Sequence, residues 1–265
     1  MGIFSYLKAK KQEKRDVKHS IVNAALSEIF EDCVYNPEGS INRERIRDAS
    51  LIDEWDEGRD NYDANTDFRF TGNDYFIGKY KGREVECCDV EVTKHYTVID
   101  TDDDGNETER KESETSFKGV WMICRTDMPI PAMLRIRGNA DMPLLFRFIA
   151  KRIPARSDVK TENLDFNKQF QILTCDSHSA FYVLTPHFME HILSADKQTY
   201  GRTMLCFSGD SIHIAIHNGR DPFEIKKSSE VKDPDALKQR VFGEINYLTG
   251  ILDELFRNDK LFRKG

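Results

Sequence analysis

Two histidines and a glutamate in the stretch LTPHFMEH, residues 184–191, have the spacing of a zinc-peptidase motif. His187, Glu190 and His191 spell H-x-x-E-H, the inverted form of the helical zinc-protease signature. On a helix the two imidazoles lie one turn apart with the carboxyl group beside them. Such a helix could supply two zinc ligands and a general base, as a metal-dependent hydrolase requires.

The other side chains of this helix favour a structural role. Its apolar residues fall on the face opposite the histidines: Phe188, Met189, Ile192 and Leu193. This division is typical of an amphipathic helix that packs on a sheet, so we expect both imidazoles to face water. A zinc site also needs a third ligand, and Glu244 and Glu254 do not have the expected spacing. We therefore expect no catalytic residue, metal or cofactor, and keep the hydrolase of residues 187–191 as the alternative.

A second stretch with metal-binding character is DTDDDGNETERK, residues 100–111. Asp100, Asp102 and Asp104 with the following glycine begin like the calcium loop of an EF-hand. The twelfth position, however, holds Lys111 where a bidentate glutamate is needed, and the flanking residues favour strands over helices. An ordinary acidic turn is the preferred interpretation, and a weak calcium site is the alternative.

The amino-terminal segment combines an apolar start with a basic cluster. Ile3, Phe4, Tyr6 and Leu7 precede the cationic residues Lys8, Lys10, Lys11, Lys14 and Arg15. A helix of this composition can lie on an anionic membrane surface or contact a protein partner, although a solvated helix start also explains it. The apolar block is too short for a secretory signal peptide.

Two pairs of residues on predicted strands could bind metals but have unsuitable geometry. Cys87 and Cys88 are adjacent on a strand, so they point to opposite faces and we expect at most one to face a core. His213 and His217 lie about 13 Å apart on one strand face, too far for one ion. We expect both histidines to face outward.

Composition restricts the class of protein. The 265 residues are 39% hydrophobic and include 17 Phe, which indicates a folded globule. A net charge of −7 argues against a nucleic-acid partner. No apolar stretch approaches the roughly 18–20 residues of a membrane span. The six cysteines include no C-x-x-C pair, which favours reduced thiols and a cytoplasmic location.

The order of predicted elements indicates an α+β fold, with a mostly antiparallel sheet flanked by N-terminal and C-terminal helices. We expect a helical segment with the basic leader at 1–52, an α+β core domain at 68–225 and a packed C-terminal helix at 233–257. Helical spacing predicts a first helix over 16–34. Within the core, Ser208–Asp210 is predicted to be the turn of a hairpin.

Four stretches in this order resemble a bacterial family, domain of unknown function family 3137. They are TGNDYFIGKYKGREVECCDVEV (71–92), FKGVWMI (117–123), FNKQFQILTCDSHSAFYVLTPHFMEHI (166–192) and TMLCFSGDSIHIAIHNGRDPFE (203–224). The resemblance spans roughly 70–225 and implies no activity, substrate or catalytic residue. It does imply an association with the membrane, because many members resemble membrane-anchored proteins with hydrophobic helices ahead of this domain. The short basic leader departs from that pattern.

Together these observations predict a non-enzymatic bacterial module that binds an unknown protein partner or acts at the inner face of the cell membrane. The surfaces expected to serve it are the basic leader, Lys8–Arg15, and the hairpin around Lys79–Gly82.

Overall fold

The computed structural model describes residues 3–52, 66–101, 105–138, 157–199, 201–224 and 233–257. Six helices and seven strands lie in these ranges and are numbered in chain order. The helices are α1 (Ile3–Ile29), α2 (Arg43–Asp48), α3 (Leu164–Gln169), α4 (Ser177–Val183), α5 (Pro186–Thr199) and α6 (Pro234–Leu255). The strands are β1 (Glu31–Asn36), β2 (Thr66–Tyr80), β3 (Arg83–Thr101), β4 (Glu107–Gly138), β5 (Ser157–Asp158), β6 (Phe170–Thr174) and β7 (Arg202–His217).

The strands form one seven-stranded sheet in the order β1-β2-β3-β4-β6-β5, with β7 also paired to β4. Every pairing between them is antiparallel. Together with the helices that precede and follow it, this sheet confirms the α+β prediction. No helix among the described residues is long and apolar enough to cross a membrane.

The sheet is covered on both faces. On one face α1, α5 and α6 enclose a large apolar core that includes Leu26, Met122 and Ile245. On the other, α2 and the chain around it bury a smaller core that includes Ile46 and Trp121. Because side chains alternate along a strand, neighbouring strand residues contribute to different cores.

Capping chemistry explains where α6 begins. The side chain of Asp233 accepts a hydrogen bond of 3.1 Å from the amide of Ala236, and Pro234 opens the first turn. The apolar stripe of α6 is fully buried against the core: Leu237, Val241, Ile245, Leu248, Leu252 and Leu255. This stripe therefore holds the helix on the sheet.

The predicted end of the first helix and one predicted turn were wrong. Helix α1 ends at Ile29, and the next residues form β1, which pairs with β2 (Val34↔Ile77). The predicted hairpin at Ser208–Asp210 is absent, because β7 runs unbroken through it and Gly209 pairs with Ile130 of β4. The β4–β7 ladder shifts its register on both sides of this pair. The polar residues 208–210 therefore form an irregularity within one long strand, although their sequence is typical of a turn.

Two further expectations were wrong because the second face of the sheet is also covered. Cys87 and Cys88 do point to opposite faces, but both are fully buried, one in each core. His213 was expected to face outward, yet only 7% of it is exposed, and its Nδ1 accepts a hydrogen bond of 3.2 Å from Nε1 of Trp121. His217 is partly buried, and its Nδ1 accepts a hydrogen bond of 2.9 Å from the backbone amide of Lys118.

Candidate functional site

The histidines of the H-x-x-E-H motif lie on α5 as the sequence predicts, with its apolar residues against the sheet. Phe188, Met189 and Ile192 are buried, and His187 and Glu190 are exposed while His191 is partly exposed. Among the described residues, the potential ligand atoms of these three motif residues do not form a three-donor group of metal-binding size.

His187 instead forms a contact with the C-terminal helix. Its Nδ1 lies 2.5 Å from Oε1 of Glu254, whose other oxygen accepts from Arg257 at 2.8 Å. The side chain of Glu254 is 7% exposed, whereas that of His187 is 67% exposed. Glu254 is one of the two glutamates considered above as a third zinc ligand. It contacts one of the two histidines, and this contact links α5 to α6.

The acidic turn at 100–111 is described only in part. Asp102 and Asp104 lie outside the described residues, and Asp100 forms an ion pair of 3.3 Å with Nε of Arg110 across the hairpin. That contact is compatible with the ordinary acidic turn preferred from the sequence.

The basic leader is helical from Ile3 onward, and part of it is tied to its own chain. Lys14 lies 3.4 Å from Glu224, and Arg15 lies 3.4 Å from Glu38. Lys10 is exposed, while the structure describes only the backbone of Lys8 and Lys11. Among the described side chains of the leader, Lys10 is therefore exposed, whereas Lys14 and Arg15 are paired with acidic groups.

The hairpin around Lys79–Gly82 is a tight turn between β2 and β3, with positive φ at Lys81 (50°) and Gly82 (76°). Its lysines are paired within the chain. Lys79 lies 2.7 Å from Asp32, and Lys81 lies 2.5 Å from Asp253 on α6. These contacts fasten the hairpin to β1 and α6.

The site with the most unusual electrostatics is one that the sequence did not suggest. Asp74 on β2, Asp89 on β3 and Asp221 after β7 each place a carboxylate oxygen within 4.8 Å of the others. We call these three residues the carboxylate cluster. Asp74 is fully buried, Asp89 is 5% exposed, and Asp221 is partly buried.

Asp74 is supplied with hydrogen-bond donors. Tyr35 donates its hydroxyl to Oδ1, while Lys18 (2.7 Å) and the side-chain amide of Asn73 (2.5 Å) donate to Oδ2. Burial raises the pKa of Asp74, and Lys18 and Tyr35 act against that rise. Asp74 itself has positive φ (55°) beside an irregularity in the β2–β3 ladder, which turns its side chain toward these donors.

Asp89 is in the opposite situation. Both its carboxylate oxygens are buried and neither has a hydrogen-bond donor among the described residues. Burial raises the pKa of Asp89 well above its ordinary value, and the facing carboxyl groups of Asp221 and Asp74 raise it further. An ionised carboxylate buried without a partner is costly, so Asp89 needs either a proton shared with Asp221 or a cation.

Lys18 is the cation that the structure brings closest to the cluster. Burial alone would lower its pKa, but contacts with Asp74 and Glu224 raise the pKa of Lys18 above its ordinary value. The Lys18–Glu224 distance is 3.1 Å. One ammonium group therefore serves Asp74 and Glu224, while the oxygens of Asp89 receive no hydrogen bond from it.

A weak signal for this site was present in the sequence. Val85, Cys87 and Asp89 alternate on one face of β3, and the first two are buried in the larger core. An aspartate in the third position of such a series is a candidate buried carboxylate. Its neighbours were not predictable, because Asp221 follows 132 residues later in the chain.

Comparison with known proteins identifies the family. Residues 115–257, more than half of the chain, match the model described as Protein of unknown function (DUF3137), and the chain belongs to that family. No curated protein matches it significantly. Among solved structures, the mycobacterial trehalose monomycolate transport factor A, TtfA, aligns at 8% identity with a TM-score of 0.42, covering 88% of this chain and 96% of that one. A score at this level carries no argument about function.

Proposed function

We propose that the protein is a non-enzymatic module that docks on the anionic inner face of the cell membrane through the first half of α1. The observation that supports this proposal is the asymmetry of that helix. Val22, Ala25 and Leu26 in its second half are fully buried, whereas Lys10 and Glu13 in its first half are exposed.

The composition of the first half suits a membrane surface. It begins with Ile3, Phe4, Tyr6 and Leu7 and continues with Lys8, Lys10 and Lys11. Stable peripheral binding needs two signals, and apolar insertion with a polybasic cluster supplies both. Each lysine near an anionic surface contributes about 1 kcal/mol, so the three lysines contribute about 3 kcal/mol at low salt.

Vesicle flotation tests the proposal. We expect the full chain to float with vesicles of phosphatidylcholine and phosphatidylserine and to stay unbound with phosphatidylcholine alone. The triple variant Lys8→Gln, Lys10→Gln, Lys11→Gln is expected to lose at least tenfold in affinity, as the lysine contribution above predicts. The matched control Lys160→Gln, Lys168→Gln, Lys197→Gln removes three exposed lysines elsewhere and should bind like the wild type.

Two results would overturn the membrane proposal. The first is wild-type protein that remains unbound to the anionic vesicles. The second is a leader variant that floats as well as the control variant. Either result would leave a protein partner as the candidate for this surface.

The alternative, a metal-dependent hydrolase built on His187, Glu190 and His191, has less support. The described residues bring no third donor to both histidines, and Glu254 contacts His187 and Arg257 instead.

A further inference from the structure

We propose that Asp74, Asp89 and Asp221 form a binding site for a hard divalent cation of the calcium or magnesium class. The site lies where α1 meets the sheet, and it is independent of the membrane proposal because none of its residues belongs to the leader.

The first support is geometric. The three aspartates come from β2, β3 and the segment after β7, so the antiparallel sheet and its return loop bring them together. One oxygen of each lies within 4.8 Å of the others, a spacing that lets three carboxylates reach one ion. Asp221 also accepts the amide of Glu224 at 2.8 Å, which fixes its loop over the cluster.

The second support is independent of the clustering. Asp89 is 5% exposed, and its two oxygens have no donor within the described part of the chain. Asp74, at the same depth, has three donors. A carboxylate side chain buried without a donor, and directed at a second carboxyl group, has the arrangement that a cation satisfies.

The donor atoms determine the class of ion. All three ligands are carboxylate oxygens, with neither thiolate nor imidazole among them, and such donors favour calcium, magnesium or manganese over zinc or copper. The hydroxyl of Tyr35 and the carboxyl of Glu224 lie in the same network and offer further oxygens. Lys18 competes for Asp74, and its second partner, Glu224, can retain it when an ion binds.

The test is calorimetric titration of the EDTA-treated full chain with calcium chloride or magnesium chloride, with thermal unfolding measured in parallel. We expect one ion per chain. At a free cation concentration about 100 times Kd, the wild type should gain about 5 °C or more in Tm. Asp89→Asn and Asp221→Asn should each lose the binding heat and the gain in Tm.

Three controls make the result specific. Asp165→Asn removes an exposed carboxylate on α3 and should respond like the wild type. The pair Asp100→Asn and Asp104→Asn separates this site from the acidic turn, and it should keep full binding. Asp89→Asn should be folded and at least as heat-stable as the wild type without added ions, because its amide can donate to Asp221.

The proposal is wrong if neither ion gives binding heat or a shift in Tm with the wild type. It is also wrong if Asp89→Asn, folded by circular dichroism, responds as strongly as the wild type. Binding that disappears only in the Asp100→Asn, Asp104→Asn variant would assign the ion to the acidic turn and would equally overturn the proposal.

Discussion

Nζ of Lys18 on α1 lies 2.7 Å from Oδ2 of Asp74 on β2, and the carboxylate has no exposed surface. The side chain of Lys18 is itself only 12% exposed. This ion pair connects the first helix to the sheet at a place where water screens little, so its loss should affect stability more than the loss of a surface pair.

Replacing Lys18 with methionine is expected to lower the free energy of unfolding by about 2–4 kcal/mol, because Asp74 then keeps a buried charge without its cation. Chemical denaturation measures the change. Lys14→Met is the matched control on the same helix. Lys14 and its partner Glu224 are 40% and 46% exposed, so we expect a loss below about 1 kcal/mol. Equal losses in the two variants would contradict this account.

Acid sensitivity should depend on His213. Burial, with a smaller effect from Arg45, lowers the pKa of His213 to about 4 from 6.5. The folded state therefore binds this proton less readily than the unfolded state, and stability is lost as pH falls from about 6.5 toward 4. The full contribution is on the order of 3 kcal/mol.

Glutamine at position 213 does not titrate and can still accept the hydrogen bond from Trp121. We therefore expect His213→Gln to show a shallower loss of stability between pH 6.5 and 4 than the wild type, measured by denaturation at several pH values. Parallel pH profiles for the two proteins would show that the buried imidazole is not responsible.

Gly119 is expected to be intolerant of any side chain. A Cβ at this position on β4 would lie 1.9 Å from the carbonyl oxygen of Ile216 on the neighbouring strand. We expect Gly119→Ala to destabilise by more than about 3 kcal/mol or to prevent folding, as severe overpacking does. Gly243 on α6 has open space, and Gly243→Ala should stabilise by about 0.5–1 kcal/mol. Thermal unfolding of both variants provides the comparison.

His187→Ala is expected to lower stability by less than about 1 kcal/mol, because the imidazole is 67% exposed and Arg257 still pairs with Glu254. We also expect the zinc content of the purified protein, measured by elemental analysis, to be the same in the wild type and the variant. Stoichiometric zinc lost from the variant would instead support the hydrolase.

Local chemistry made α5 and α6 predictable. Pro186 and the Asp233-Pro234 pair mark their starts, and the apolar spacing of each identifies its buried face. Strand β1 was missed, because Phe30 and Cys33 continue the helical spacing of α1 although the chain has already turned into the sheet. Local spacing cannot show that a neighbouring strand is available for pairing.

The environment of His213 illustrates a second limit. The alternation of side chains along β7 correctly predicted that the histidines lie on the face opposite Ile212, Ile214 and Ile216. It could not show that α2 covers the face on which His213 lies. The carboxylate cluster was missed for a related reason, since Asp74 and Asp89 lie on the paired strands β2 and β3 and Asp221 reaches them from the segment after β7, so their spacing in sequence gives no sign of the contact.

Strand β4 is paired along both edges in two places. From Gly119 to Cys124 it lies between β3 and β7, and from Leu134 to Ile136 it lies between β6 and β7. Its amide hydrogens there are shielded from solvent deuterium by two sets of neighbours. They should exchange at the rate of global unfolding, and the slowest-exchanging peptides of the protein should come from these segments.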